Sequence, residues 1–160
     1  MCGRRATLYL PYLDRYVCDR CLLRMNFRRF RKYMREHKAK RYTLVKSRSS
    51  SYYLMRYFFS KGGLEFKEGS KGNVVSTTQD ELAEMVLASV LGNKKFKLGK
   101  KIMPMSVIPE REVYRLCSHL KLPLVKRKLS DISKFLDSVE KRRPGVKFSL
   151  RKLAYSLKEL

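Results

Sequence analysis

Two short runs of β-prone residues near the N-terminus predict a hairpin. Residues 6–10 and 15–17 supply Leu, Tyr and Val, while Pro11 and Asp14 between them favour a turn. The two runs are therefore expected to pair with each other.

After Cys21 the apolar spacing changes to that of an amphipathic helix. Apolar side chains recur at intervals of four, three, four and three residues, which places them in one stripe. The stripe consists of Leu23, Phe27, Phe30, Met34 and His37. Basic side chains repeat with the same spacing one position along, so they form a basic ridge beside the buried stripe. The basic ridge consists of Arg24, Arg28, Arg31, Arg35 and Lys38.

Beyond residue 40, β-prone runs alternate with helical patterns. The predicted elements are a strand at 41–45, a loop at 46–51, a helix at 52–59, a strand at 73–75, helices opened by a Thr78/Glu81 capping box, by Pro109 and by Ser130, a short strand at 124–125, and a closing helix at 149–157. This alternation predicts an α/β fold with a small parallel sheet. We expect residues 1–40 to form a small cysteine-containing hairpin module with a basic helix, and 41–160 to form the α/β domain.

Composition gives the chain a large excess of positive charge. It has 38 Lys and Arg against 14 Asp and Glu, a formal net charge of +24. Self-repulsion of this size opposes folding unless a polyanion screens it. The charged surface of a thermophilic protein does not explain this excess, because such a surface would pair its basic residues with more Glu. Intrinsic disorder is disfavoured because 44% of the residues are hydrophobic. With no apolar run near the ~20 residues that span a bilayer, and no visible secretory signal, we expect a cytoplasmic protein without a membrane partner.

The basic residues recur in separate segments, which favours contact with nucleic-acid phosphates over an ordinary solvated face. The first segment holds the basic ridge and its neighbours, the second is the loop 94–101, and two shorter runs follow. The predicted RNA-binding residues are Arg24, Arg28, Arg29, Arg31, Lys32, Arg35, Lys38, Lys40, Arg41, Lys94, Lys95, Lys97, Lys100, Lys101, Lys126, Arg127, Lys128, Arg142 and Arg143.

Tyrosines lie among the first basic residues and just beyond them. Tyr33, Tyr42, Tyr52 and Tyr53 are candidates either for stacking on unpaired RNA bases or for places in the core. DNA binding is the alternative to RNA binding, and it would give comparable affinity for duplex DNA.

Four cysteines in a reducing compartment indicate metal binding or packing before disulfides. Cys2, Cys18 and Cys21 are candidate zinc ligands, because the last two form a C-x-x-C pair and the hairpin brings Cys2 towards Cys18. A structural zinc site needs a fourth ligand, which this set lacks, so packed thiols are the alternative. Cys117 lies on an apolar helix face and is predicted to be a core residue.

Several segments follow the order of a known family. Residues 2–21 look like a zinc finger, residues 76–84 keep Asp80 in a segment similar to Gly-His-Asn-Leu-Asp-Asp-Glu-Ala-Gln, and residues 104–123 and 136–145 look like later family segments. In this order they resemble the tRNA 2-thiolation enzymes of the PP-loop (N-type ATP pyrophosphatase) family, in the archaeal and thermophilic branch with an N-terminal zinc finger. The resemblance implies a PP-loop-like (adenine nucleotide alpha hydrolase-like) domain.

The residues that grip ATP in that family have no counterparts here. A Ser-Gly-Gly-Lys-Asp-Ser loop is replaced by residues 46–51, of which only Ser51 agrees. Without glycine, close approach of the backbone to a pyrophosphate is difficult. The family's middle cysteine pair and later catalytic cysteine are also missing. The resemblance thus implies a reduced, degenerate relative that is not an enzyme and binds no ATP, with Zn²⁺ as its candidate cofactor.

Charge and resemblance together predict a noncatalytic RNA-binding protein. The first hypothesis is a ribosomal or ribosome-associated component that binds rRNA and has neighbouring ribosomal proteins as partners. The alternative is a tRNA 2-thiolation protein, or a partner that presents tRNA to such an enzyme. An active form would bind ATP and require Asp80.

Overall fold

The chain folds into an antiparallel hairpin, a small parallel sheet and surrounding helices. The computed structural model describes residues 5–96 and 99–157. Two predicted site residues, Cys2 and Lys97, lie outside the described residues. Within these ranges the predicted α/β class is confirmed.

The predicted hairpin is confirmed at the start of the described chain. Strand β1 (Leu8–Leu10) pairs antiparallel with β2 (Arg15–Val17), with Leu10 opposite Arg15. A single turn of 3₁₀ helix, Pro11–Leu13, joins them, and Asp14 completes the turn at φ 47°. Aspartate tolerates this left-handed conformation better than most residues, which is why it fits the position.

The first helix, α1 (Asp19–Glu36), is amphipathic, but its buried face is rotated from the predicted stripe. Phe30 and Met34 are buried as expected, whereas Leu23, Phe27 and His37 are only half-buried. The residues that complete the buried face are Leu22, Asn26 and Tyr33. Asn26 lies outside the predicted stripe and belongs to the buried face, because its amide donates a hydrogen bond to the buried Glu112 carboxylate.

Short parallel segments form the centre of the fold. Strand β3 (Tyr42–Val45) pairs in parallel with β4 (Phe66–Gly69). Single parallel bridges extend the sheet from Leu44 to Val74 and from Val74 to Ile102. The parallel sheet and the strand-forming position of Val74 are as predicted. Strand β4 is not among the predicted elements, because the glycines around it, Gly62, Gly63, Gly69 and Gly72, favour turns.

Five further α-helices cover this sheet in the described part of the chain. They are α2 (Ser50–Lys61), α3 (Gln79–Leu91), α4 (Glu110–His119), α5 (Asp131–Arg142) and α6 (Val146–Ser156). The predicted caps are present, with the Thr78/Glu81 capping box on α3 and Ser130 on α5. The apolar pattern of α5 predicts Phe135 and Leu136 both to face inward, but Phe135 is 57% exposed and only Leu136 of the two is buried. None of the described helices is long and apolar enough to cross a bilayer.

The core joins the N-terminal helix to the sheet. Phe30 of α1 packs in one cluster with Leu44 of β3, Phe58 of α2 and Leu116 of α4. Phe30 and Phe58 have ring centroids 5.4 Å apart at a tilt of 57°, a favourable aromatic arrangement. This core fixes the direction of α1 and leaves its opposite face to solvent. The division of the chain at residue 40 stays a prediction.

Candidate nucleic-acid interface

The basic ridge lies on the solvent side of α1 and just beyond its end. Arg24, Arg28, Arg31, Arg35 and Lys38 are all exposed. In the described part of the chain, no carboxylate pairs with any of the five. Like charges three and four residues apart destabilise a helix by a few tenths of a kcal/mol per pair, about 0.2–0.5. The ridge is therefore tolerated because the other face of α1 is anchored in the core, and its charge is available to an external anion.

Arg29 differs from its neighbours in the ridge. Its Nη1 lies 3.3 Å from Glu112 Oε2, and its guanidinium sits 5.1 Å from the centre of the Tyr12 ring. Glu112 is 1% exposed and also accepts a 2.6 Å hydrogen bond from Asn26 Nδ2. Arg29 therefore links α1, the hairpin and α4, and has a structural partner that the ridge residues lack.

The other predicted contact residues are mostly exposed. They are Lys32, Lys40, Arg41, Lys94, Lys95, Lys100, Lys101, Lys126, Lys128, Arg142 and Arg143. Lys101 also donates a hydrogen bond to the carbonyl of Gly72, which holds the end of the loop 94–101 against the sheet.

Arg127 is the exception among the later basic residues, because it is enclosed by carboxylates. Its Nε lies 2.9 Å from Glu110 Oε1, its Nη1 contacts Glu84 Oε2 at 2.5 Å, and its Nη2 donates to Ser133. Burial alone would lower the pKa of Arg127, but hydrogen bonds and charge from Glu84 and Glu110 raise it above its ordinary value. Its role in the fold is to hold the segment after α4 against α3 and α5.

Two of the four candidate tyrosines lie in the core, where they cannot stack on RNA bases. Tyr33 and Tyr52 are each 4% exposed. Burial raises the pKa of Tyr52 to about 12, with a smaller effect from the Glu68 carboxylate. Tyr42 and Tyr53 are half-buried and pack against the same core. Periodicity could not distinguish these positions, because stacking and packing require the same residue type.

The exposed tyrosines belong to the hairpin, which sequence reasoning passed over. Tyr16 is 66% exposed, Tyr12 40% and Tyr9 36%. The signal that could have found them is the alternation along the two strands, since neighbours in a strand point to opposite faces.

A crevice lies where β3 and its parallel neighbours end, the edge at which open α/β sheets bind ligands. Ser49 caps α2 there, and the hydroxyl of Ser50 accepts a 2.7 Å hydrogen bond from Val125 N and donates to Val125 O at 3.1 Å. These bonds occupy the backbone N–H and C=O of Val125, and residues 124–125 form no strand, contrary to prediction. The remaining cavity is about 20 Å³, lined also by Thr78, Glu81 and Arg127. That volume accommodates about one water molecule.

The N-termini of α3 and α4, which lie at this crevice, have hydrogen-bond partners within the protein. Glu81 accepts a 2.6 Å hydrogen bond from Thr78 N, and Glu81 N donates in turn to the Thr78 hydroxyl at 3.3 Å. Asp80 is 9% exposed, accepts from Glu110 N at 2.6 Å and pairs with Lys147 Nζ at 2.5 Å. Asp80, the residue retained from the family segment, thus joins α3 to α4 and α6.

The described cysteines lie at two places in the fold. Cys18 is buried and Cys21 half-buried at the start of α1. Cys117 is buried in the main cluster, as predicted, and its Sγ donates to Ser50 O at 3.4 Å. No group of three or more His, Cys, Asp or Glu side chains in the described residues is arranged to hold a metal ion. Because Cys2 lies outside them, the zinc site stays a prediction.

Comparison with known proteins gives a likeness of fold. No family model and no curated protein matches the sequence. The chain is similar to the solved structure of the U34-tRNA thiolase NcsA from Methanococcus maripaludis with its 4Fe-4S cluster, at a TM-score of 0.75 and 18% identity, over 99% of this chain and 86% of that one. The fold is therefore PP-loop-like. The cluster belongs to that thiolase; among the described residues of this chain, no three cysteines come together.

Proposed function

We propose that this chain binds RNA, with tRNA as the class of RNA that it binds. It acts as a noncatalytic tRNA-binding or tRNA-presenting protein. One observation carries the proposal: a row of exposed basic residues that have no carboxylate partner among the described residues, on a fold shared with a tRNA thiolase. The thiolase supports tRNA as the class to test first, in place of the rRNA of the first hypothesis.

The ridge has the dimensions and charge for a phosphate backbone. From Arg24 to Arg35 it extends ~16 Å along the helix axis at 1.5 Å per residue, enough to face several successive phosphates. Each neutralised phosphate releases condensed counterions, which supplies most of the affinity of such contacts. Arginine also binds phosphate through two parallel hydrogen bonds, which favours a defined orientation.

The crevice at the sheet edge supports the noncatalytic part of the proposal. Ligand pockets usually measure ~300–1,000 Å³, whereas this cavity is about 20 Å³. Its lining includes Glu81 and Glu110, whose carboxylates repel phosphate, and Val125 already occupies the hydroxyl of Ser50. An ATP pyrophosphate would have to displace residues 123–127.

Charge reversal tests the contact surface. Binding of a tRNA transcript and of an rRNA fragment of equal length is measured by filter retention for the wild type and for Arg28→Glu/Arg31→Glu/Arg35→Glu. The control is Lys67→Glu/Lys71→Glu/Lys134→Glu, which changes net charge equally at exposed positions off the ridge. We expect the ridge variant to lose tRNA affinity by on the order of 100-fold and the control far less. Equal losses would reject the ridge, and preference for rRNA would reject tRNA.

Nucleotide binding tests the noncatalytic part separately. Calorimetric titration of the wild type with ATP and Mg²⁺, with and without tRNA, is expected to give no heat of binding. Saturable ATP binding with adenylation of tRNA would overturn this part and leave tRNA binding intact.

A further inference from the structure

The hairpin presents an aromatic pair on its outer face. Tyr9 and Tyr16 are directly opposite in the β1–β2 register, with ring centroids 5.1 Å apart at a tilt of 50°. Their strand neighbours Leu8, Leu10 and Val17 point to the other face and pack on the main cluster. The alternation therefore buries one face of the hairpin and leaves two tyrosine rings on the other.

We infer that the Tyr9–Tyr16 pair is a stacking platform for an unpaired base of the bound RNA. The inference rests on the proposed function and adds a second, aromatic contact to the electrostatic one. Every base has a π-face, so stacking on aromatic side chains recognises single-stranded nucleotides without reading sequence. A 66% exposed ring at Tyr16 leaves the face that such a base requires.

The platform is held in place before any ligand arrives. The Tyr9 hydroxyl donates to Asp14 Oδ1 at 2.5 Å, which fixes the ring beside the turn. Arg115 Nη2 donates to the Thr7 hydroxyl at 2.8 Å, so α4 braces the edge of the hairpin. Tyr9 has two side-chain torsions, and its hydrogen bond to Asp14 already restricts the ring. It therefore loses little conformational entropy when a base stacks on it.

Charge complementarity identifies the occupant as a nucleotide. Arg111 Nη2 donates to Tyr9 O at 2.9 Å, and Arg111 is exposed without a carboxylate partner in the described residues. Arg5 and Arg15 are also exposed at the hairpin. These cations lie on or beside the hairpin, where their charge attracts the phosphate of a nucleotide. Asp14 is the opposing charge, and its hydrogen bond with Tyr9 occupies it.

Single-stranded RNA binding tests the platform. Affinity for an unpaired oligonucleotide and for a duplex of the same sequence is measured for the wild type, Tyr16→Ala and Tyr16→Phe. We expect Tyr16→Ala to weaken single-strand binding on the order of 5- to 100-fold, with little effect on the duplex, and Tyr16→Phe to keep the wild-type affinity. Phe135→Ala, which removes a 57% exposed ring from α5, is the matched control and should bind normally.

Tyrosine fluorescence gives a second readout of stacking. The chain has 10 tyrosines and no tryptophan, so quenching on RNA binding reports the tyrosines directly. Tyr16→Ala should lose part of the quenching seen with single strands. Unchanged affinity and quenching would overturn the platform, as would a Tyr16→Ala effect that appears only as loss of self-association in sedimentation.

Failure of the platform is distinguishable from failure of the proposed function. If the wild type binds neither RNA form, the proposed function is wrong. If the ridge variant loses binding while Tyr16→Ala does not, the proposed function stands and the platform alone is wrong.

Discussion

Glu112 is a single buried carboxylate that connects three elements. Its Oε1 accepts from the Tyr12 hydroxyl at 2.5 Å, and its Oε2 accepts from Asn26 Nδ2 and Arg29 Nη1 at 2.6 and 3.3 Å. The Arg29 side chain is 28% exposed, so part of the pair's Coulomb energy is screened by solvent.

Removing that carboxylate should destabilise the fold mainly through Asn26. We expect Glu112→Ala to lower the free energy of unfolding by about 1–3 kcal/mol, because a 0% exposed amide is left without its acceptor. Glu112→Gln keeps an acceptor oxygen and should cost less. Urea unfolding of both variants without RNA measures the difference, and equal stability of Glu112→Ala and wild type would contradict it.

Cys117 is a thiol whose environment opposes ionisation. Burial raises its pKa from 9.0 to about 11, while the neighbouring Ser50 has a smaller, opposite effect. The raised value contributes stability that is complete below pH 9 and is lost as the pH rises towards 11. At pH 9, where an ordinary thiol is half ionised, Cys117 should therefore stay unlabelled by iodoacetamide in peptide mapping and react fully in denaturant. Rapid native labelling would contradict this prediction.

Close packing of parallel segments makes one glycine indispensable to the sheet. A Cβ on Gly72 would lie 2.2 Å from Thr43 O and 2.9 Å from Thr43 C, both backbone atoms of β3. Next to it, the Asn73 amide accepts from Thr43 N and donates to Arg41 O at 2.8 Å each. This close approach lets the segment through Val74 join the sheet.

Substitution at Gly72 should therefore be costly for steric reasons alone. We expect Gly72→Ala to destabilise the protein by at least about 2–3 kcal/mol, measured by urea unfolding. The comparison is Gly63→Ala, where a Cβ meets nothing within 4 Å and only φ +64° opposes it, at about 1 kcal/mol. Similar costs at the two positions would refute the steric explanation.

Elements with local signals could be predicted from sequence, and elements defined by distant partners could not. The Thr78/Glu81 box and the Ser130 cap depend on residues three positions apart, and both helices start where expected. Strand β4 exists because it pairs with β3, more than twenty residues earlier, and its glycines concealed it. The basic ridge follows local periodicity, but the distant partners Glu112 and Glu84 decide that Arg29 and Arg127 serve the fold.

Charge acts on the whole molecule in two opposite directions. The net charge of +24 repels itself, and the described carboxylates are largely engaged inside the fold, as with Asp80, Glu84, Glu110 and Glu112. Folding concentrates this charge, whereas RNA binding neutralises it. Screening by salt should therefore stabilise the folded protein and weaken its binding to RNA.

We expect the stability of the free protein and its RNA affinity to depend on salt in opposite directions. Between about 50 mM and about 200 mM NaCl, the melting temperature of the free protein should rise, while its RNA affinity should fall by on the order of 10³-fold or more if six or more phosphates are bound. The ridge triple variant Arg28→Glu/Arg31→Glu/Arg35→Glu should give a shallower log–log salt slope, by about one for each phosphate that it no longer neutralises. It should also melt higher than the wild type at low salt, because it carries less repulsion. Differential scanning fluorimetry and filter binding in the same buffers measure both quantities. A melting temperature that falls with salt would show that charge repulsion does not limit this fold.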